Sequence, residues 1–184
     1  MAISKSEKVR FRPGLRMITT VAWAVACIAA PALAAPSQAP EQPAGTRPMT
    51  AFELYRLYKN KSWQWDNGAG QMLDAGRQFS AWADGEKGKS WAEGRWVVAE
   101  KGLLCLNATW HSQQGAFPAK TCFSHRIGNG TIYQRREPDG NWYVFRHAQA
   151  RNDDEAHKLV ATDLVSQQRD SIKTAISAAK LSEQ

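Results

Sequence analysis

The sequence predicts a mainly β domain: a small antiparallel up-and-down meander of about eight strands, curled into a strongly curved sheet or barrel. A short helix precedes it and a long amphipathic helix follows. Three observations carry this reading. Runs of roughly five to eight residues with period-two alternation recur between Ser62 and His147. Turn-forming residues separate them at short, regular intervals, as in a meander. Nowhere does a strand pattern alternate with a long helical one, which a parallel sheet would need. Curling also shields the exposed strand edges that an open meander would leave.

The chain begins with an address. Residues 1–16 are basic, Met17 to Ala30 are apolar or small, and Ala32-Leu33-Ala34 supplies small residues at a cleavage site. That is the pattern of a secretory signal peptide, residues 1–34. The apolar run is short for a membrane span, so membrane attachment is expected only if the segment is retained. Around Cys27, Ala24-Val25-Ala26-Cys27 matches a lipoprotein signal only loosely. Lys5, Lys8, Arg10, Arg12, Arg16 and Glu7 all lie in this segment. Without it, 24 basic and 17 acidic residues become 19 and 16, so the net charge of +7 falls to +3. That ordinary balance argues against nucleic acid as a partner.

Residues 35–49 are a proline-rich leader expected to be flexible. Thr50 and Glu53 then form a capping box for a helix over Ala51 to Tyr58. From Ser62 the period becomes two. SWQWD, AGQMLDA, RQFSAWAD, SWAEGRWVVAE, LLCLNATW, TCFSHRI, TIYQRRE and NWYVFRH read as strands. Turns are expected at Asn67-Gly68, Gly76, Gly85–Gly88, Lys101-Gly102, Gly128-Asn129-Gly130 and Asp139-Gly140, with a loop from His111 to Ala119. From Asp153 to Leu181, apolar residues at spacings of three and four predict one long amphipathic helix, or two with a break near Ser166 to Arg169.

Export implies an oxidising compartment, in which Cys105 and Cys122 pair by default. No second close cysteine pair exists for zinc, and His111, His125, His147 and His157 lack ligand spacing. No metal and no cofactor is expected.

Several strings resemble a known family: ELYRLYKNKSWQW, RQFSAW, GRWVVAEKGLLCLNATWH, TCFSHR and IYQRREPDGNWYVFR. They resemble the domain-of-unknown-function 995 family over about Met49 to Val165. The resemblance implies an exported protein of an alphaproteobacterial envelope, in the periplasm or secreted. It implies no activity, cofactor or catalytic residue.

Candidate binding residues come from guessed turn registers. A two-residue turn at Asp139-Gly140 would oppose Tyr133 to Arg146, and a turn bringing Ile127 opposite Thr131 would oppose His125 to Tyr133. One face would then carry His125, Tyr133, Arg135 and Arg146, an anion-recognising patch. A slip of one residue reverses the assignment. Trp110 and Trp142, like Trp91, lie beside turns and are candidates for an exposed aromatic surface, whereas Trp65, Trp82 and Trp96 read as core. Neither a G-x-S-x-G elbow nor an H-E-x-x-H helix occurs. Ser124 and His125, as strand neighbours, point to opposite faces and cannot act together.

The leading expectation is a non-enzymatic envelope binding module whose ligand is a small anion or an acidic glycan. The alternatives are a protein that docks a partner through its C-terminal helix, and, behind it, an enzyme using His125, Tyr133 and Arg135.

Overall fold

The computed structural model describes residues 41–182. The expected signal segment and its cleavage site lie outside them. In chain order the elements are β1 (Arg47–Pro48), α1 (Ala51–Tyr58), β2 (Lys61–Trp65), β3 (Gly68–Met72), β4 (Gln78–Gly85), β5 (Gly88–Ala99), β6 (Leu103–Ser112), β7 (Gly115–Gly128), β8 (Thr131–Arg136), β9 (Tyr143–Arg146), β10 (Leu159–Val160) and α2 (Ser166–Ser182). Strands β2 to β9 are the expected eight-stranded meander, each hydrogen-bonded to the next, with β10 beside β2 and β1 beside β7. Every pairing is antiparallel. The sheet curls into a half-barrel. Its two ends, β9 and β10, share no ladder among the described residues. A 3₁₀ turn at Glu155–Lys158 packs against both β9 and β2 and so bridges the gap.

Helix α1 lies where the capping box put it. The Thr50 hydroxyl accepts from the Glu53 amide and the Glu53 carboxylate accepts from the Thr50 amide. Arg47 adds two contacts to Glu53, at 2.8 and 2.6 Å. This pairing, with the Thr50 amide, holds the Glu53 carboxyl at about 2 against the opposing effect of burial. The helix packs on the inner face of the sheet through the fully buried Leu54 and Tyr58, with Tyr55 stacked on Trp96. Residues 46–49 are not a free leader at their C-terminal end. Arg47 and Pro48 pair with β7, Met49 is buried, and Thr46 holds the Arg126 guanidinium.

The inner face carries the core: Phe79, Ala81, Ala92, Trp96, Leu104, Ile132 and Phe145, with Tyr58 between them. Small residues let aromatic rings lie flat against the curved sheet. A Cβ at Gly70 would stand 2.8 Å from the Phe79 ring, and one at Gly68 would collide with both the Trp82 carbonyl and the Trp65 indole. An alanine at Gly70 would therefore displace the Phe79 ring, and one at Gly68 would push β3 away from β4 as well as displace the Trp65 indole.

Three expectations need correction. The stretch from His111 to Ala119 is not a loop: β6 and β7 continue as a ladder to Ser112 and Gly115 around a turn at Gln113-Gln114. Pro118 is tolerated because β8 pairs only with Phe123 to Gly128 of β7, leaving Pro118 on an open edge where no N–H is required. The helix expected from Asp153 begins only at Ser166. Before it, Leu159 is drawn into the core as part of β10, and Val165 is buried. The Asp163 carboxylate accepts from the Val165 and Ser166 amides, which fixes the start of the helix. Finally, Trp91 is buried rather than exposed, because α2 places Ile172 and Ile176 against it on the outer face.

Cys105 and Cys122 are joined in a disulfide between directly opposed positions of β6 and β7, Cα atoms 4.1 Å apart. Replacing both by alanine frees a 17-residue separation in the unfolded chain. It is expected to lower stability by about 3 kcal/mol, measured by denaturant unfolding of the oxidised protein and the variant.

Candidate functional site

Strand β6 sets out the inner face in order. Leu104 packs into the core beside α1, Leu106 and Ala108 follow, and Trp110 stands furthest from the helix. Helix α1 fills one end of the half-barrel, and the other end is left as a cleft of about 380 Å³. That volume is at the small end of the range for small-molecule sites. Its walls are Trp63, Trp65, Phe79, Leu106, Trp110 and Phe123, with Ala108, Ala119 and Thr121 leaving room between them. Two charged side chains, Arg136 and Glu155, complete the lining. Glu155 accepts from Trp63 Nε1 at 3.2 Å and pairs with Lys158 Nζ at 2.9 Å.

Beneath the cleft lies a buried polar network. The Gly102 carbonyl can only accept, so the His125 proton lies on Nδ1, 3.2 Å away. His125 Nε2 is then an acceptor and takes the Tyr58 hydroxyl proton at 2.8 Å. The Gln134 amide donates to the Tyr58 oxygen at 2.8 Å, and Tyr143 donates to the Gln134 carbonyl oxygen. Each polar group of the chain finds a partner, which makes its burial tolerable. Burial pushes His125 down to about 4 despite the Gly102 contact. Burial also raises the Tyr58 and Tyr143 hydroxyls.

The expected patch of His125, Tyr133, Arg135 and Arg146 is not assembled. His125 opposes Gln134 and points inward, fully buried. Tyr133 opposes Arg126 and Arg135 opposes Ser124, on the outer face. The cause is the turn after β7. Gly128 opposes Thr131, so the loop is the two residues Asn129 and Gly130, both at positive φ (47° and 78°). The expected three-residue turn was one residue out, and a one-residue slip inverts every side chain. The turn after β8 also differs. Gln134 opposes Tyr143, and Arg146 opposes Ile132 across a bulge, instead of opposing Tyr133. Pro138 cannot donate to a ladder, and the Glu137 amide bonds back to Cys122 instead.

Arg135 is engaged by Glu137 at 3.0 Å and lies 5.3 Å from the centre of the Trp142 ring. Trp142 is thus covered on one face, whereas Trp110 is half-buried and lines the cleft. The sequence reading missed Arg136, Glu155 and Trp63. The Asn-Gly pair at 129–130 was the signal for Arg136. Read as a two-residue turn, it places Arg136 opposite Phe123 on the inner face.

A family model described as protein of unknown function (DUF995) matches residues 25–165. The fold is that of a mainly β half-barrel, and the chain belongs to this family. No curated protein and no solved structure matches it.

The buried histidine has a measurable consequence. Folded His125 takes up a proton only near pH 4, whereas an unfolded histidine does so near 6.5. Its contribution is complete above pH 6.5 and is lost as the pH falls to about 4, in total about 3 kcal/mol. The Glu53 and Asp154 carboxyls, both held at about 2, lose their contributions from their unfolded values near 4 downwards, mostly below this window. Denaturant unfolding from pH 7 to 4 is expected to show this slope in the native protein and a flatter one in His125→Asn.

Proposed function

We propose that this is an exported, non-enzymatic binding protein that holds a small amphipathic molecule in the inner-face cleft. The observation that carries the reading is the cleft itself: aromatic walls, a floor of small residues and two charged side chains, Arg136 and Glu155. Apolar enclosure with a few placed polar groups is what small-molecule sites offer. Export is supported by the basic, apolar and small-residue pattern of residues 1–34 and by the disulfide, which oxidising compartments favour.

The other readings find less support. His125 is sealed under Tyr58 and Gln134, while Tyr133 and Arg135 lie on the opposite face, so these three cannot form one catalytic site. Arg135 is already paired, which weakens an acidic-glycan patch on the outer face. Ile172 and Ile176 of α2 are spent on Trp91 and so are not free to dock a partner.

Titration with N-phenyl-1-naphthylamine, an uncharged fluorescent amphiphile, tests the reading. Saturable binding with enhanced emission is expected. Ala119 is exposed on the cleft wall, so Ala119→Trp introduces a large ring without disturbing the core. That variant is expected to keep its thermal midpoint and lose at least about tenfold in affinity, roughly 1.4 kcal/mol. Absence of saturable binding by the native protein would sink the proposal.

A further inference from the structure

We infer that the ligand is a monoanionic amphiphile whose carboxylate sits on Arg136 and whose apolar body runs along the aromatic wall towards Trp110. This rests on the binding reading above and names the ligand class for that site.

The argument begins with charge. Of the two ionic groups on the cleft, Glu155 is balanced: Lys158 and the Trp63 indole N–H both contact its carboxylate. Arg136 is not. Among the described residues no carboxylate lies within ion-pair distance of it, and no hydrogen bond from its guanidinium is formed. Its neighbour Arg135 is paired with Glu137, so the local carboxylate is already taken. Arg136 instead opposes Phe123 on the inner face, beside the apolar wall. A guanidinium there, exposed at the rim of the cleft, offers a bidentate fork to a carboxylate.

The charge count favours a single negative group. One guanidinium neutralises one carboxylate. A phosphate dianion would leave excess negative charge in a cleft that already holds the Glu155 carboxylate. Beneath the Arg136 edge of the cleft lie Gln134, which shares the inner face of β8 with Arg136, and Tyr143, whose hydroxyl donates to Gln134. Arg136 and Glu155 thus lie beside Phe123 and Trp63, and Trp110 lies further along the wall.

Size and direction follow. At roughly 30 Å³ for each water-sized group, the cleft holds about a dozen non-hydrogen atoms. Trp110 is shared with a second, more open cavity of about 580 Å³ between the β4–β5 and β6–β7 hairpins, where Phe117 is 53% exposed. A tail longer than the first cleft therefore has an apolar path outwards past Trp110 and Phe117.

The test is displacement of N-phenyl-1-naphthylamine by decanoate, decan-1-ol and decyl phosphate at neutral pH. Decanoate is expected to bind about tenfold more tightly than decanol in the native protein, the scale of a charge-assisted hydrogen-bonded pair. Arg136→Gln is expected to abolish that preference and leave decanol unchanged, and Arg136→Lys to retain part of it. Equal affinity for decanoate and decanol in the native protein, or a preference that survives in Arg136→Gln, overturns the inference. Decyl phosphate binding more tightly than decanoate overturns the single-charge assignment. The uncharged dye separates the two levels. If it binds and Ala119→Trp blocks it while decanoate shows no preference, only the charge assignment falls. If it does not bind, both fall.

Discussion

The hydrogen bonds that tie Tyr58 to His125 and Gln134 are the constraint on which the rest of the molecule depends. They connect helix α1 on the inner face to two adjacent strands, β7 and β8, at a point from which water is excluded. Each of these groups would be costly to bury alone. Together they are satisfied, and the geometry that satisfies them also sets the position of α1 within the sheet. With the helix filling one end of the half-barrel, the strands beyond it have no side chain from α1 to cover them. The cleft is the consequence of that incomplete filling.

Curvature supplies its walls. Glycines 68 and 70 in β3 and alanines at 81, 92 and 108 keep the inner face shallow, so that Trp65, Phe79 and Trp110 fit across it. The same strands carry their own reinforcement on the outer face. The disulfide joins β6 to β7 behind the cleft, and α2 lies over Trp82 and Trp91 of β4 and β5. Trp91 is held between the His111 ring, 4.1 Å away, and the Lys173 ammonium, 4.6 Å from its centroid. The Trp82 indole donates to the Leu164 carbonyl and so anchors the segment that leads into α2.

The gap between β9 and β10 is held by the loop that leads into β10 rather than by a ladder. The Asp154 carboxylate receives the backbone amides of His147 and Arg151 and the His147 ring nitrogen at 2.5 Å. Burial would raise this carboxyl, but those donors outweigh it and hold it at about 2. The loop so pinned delivers Glu155 to the cleft and Leu159 to the core. A helical continuation from Asp153, which the apolar spacing suggests, would have turned both away from the sheet.

The sequence by itself determined the eight-strand meander, the capped helix before it and the cysteine pair. Each rests on local physics: alternation, turn chemistry, a capping box and the small number of cysteines available to pair. The binding face was not legible in the same way. It depended on whether Asn129 and Gly130 alone made the turn, a difference of one residue that decides whether Arg136 or Arg135 faces inward. Nor did the order of residues reveal Glu155 as a neighbour of Trp63, since 92 positions separate them and only closure of the curled sheet brings them together. Tertiary structure decided these points because strand register and sheet closure are settled by packing across the whole inner face, and a local pattern contains no record of it.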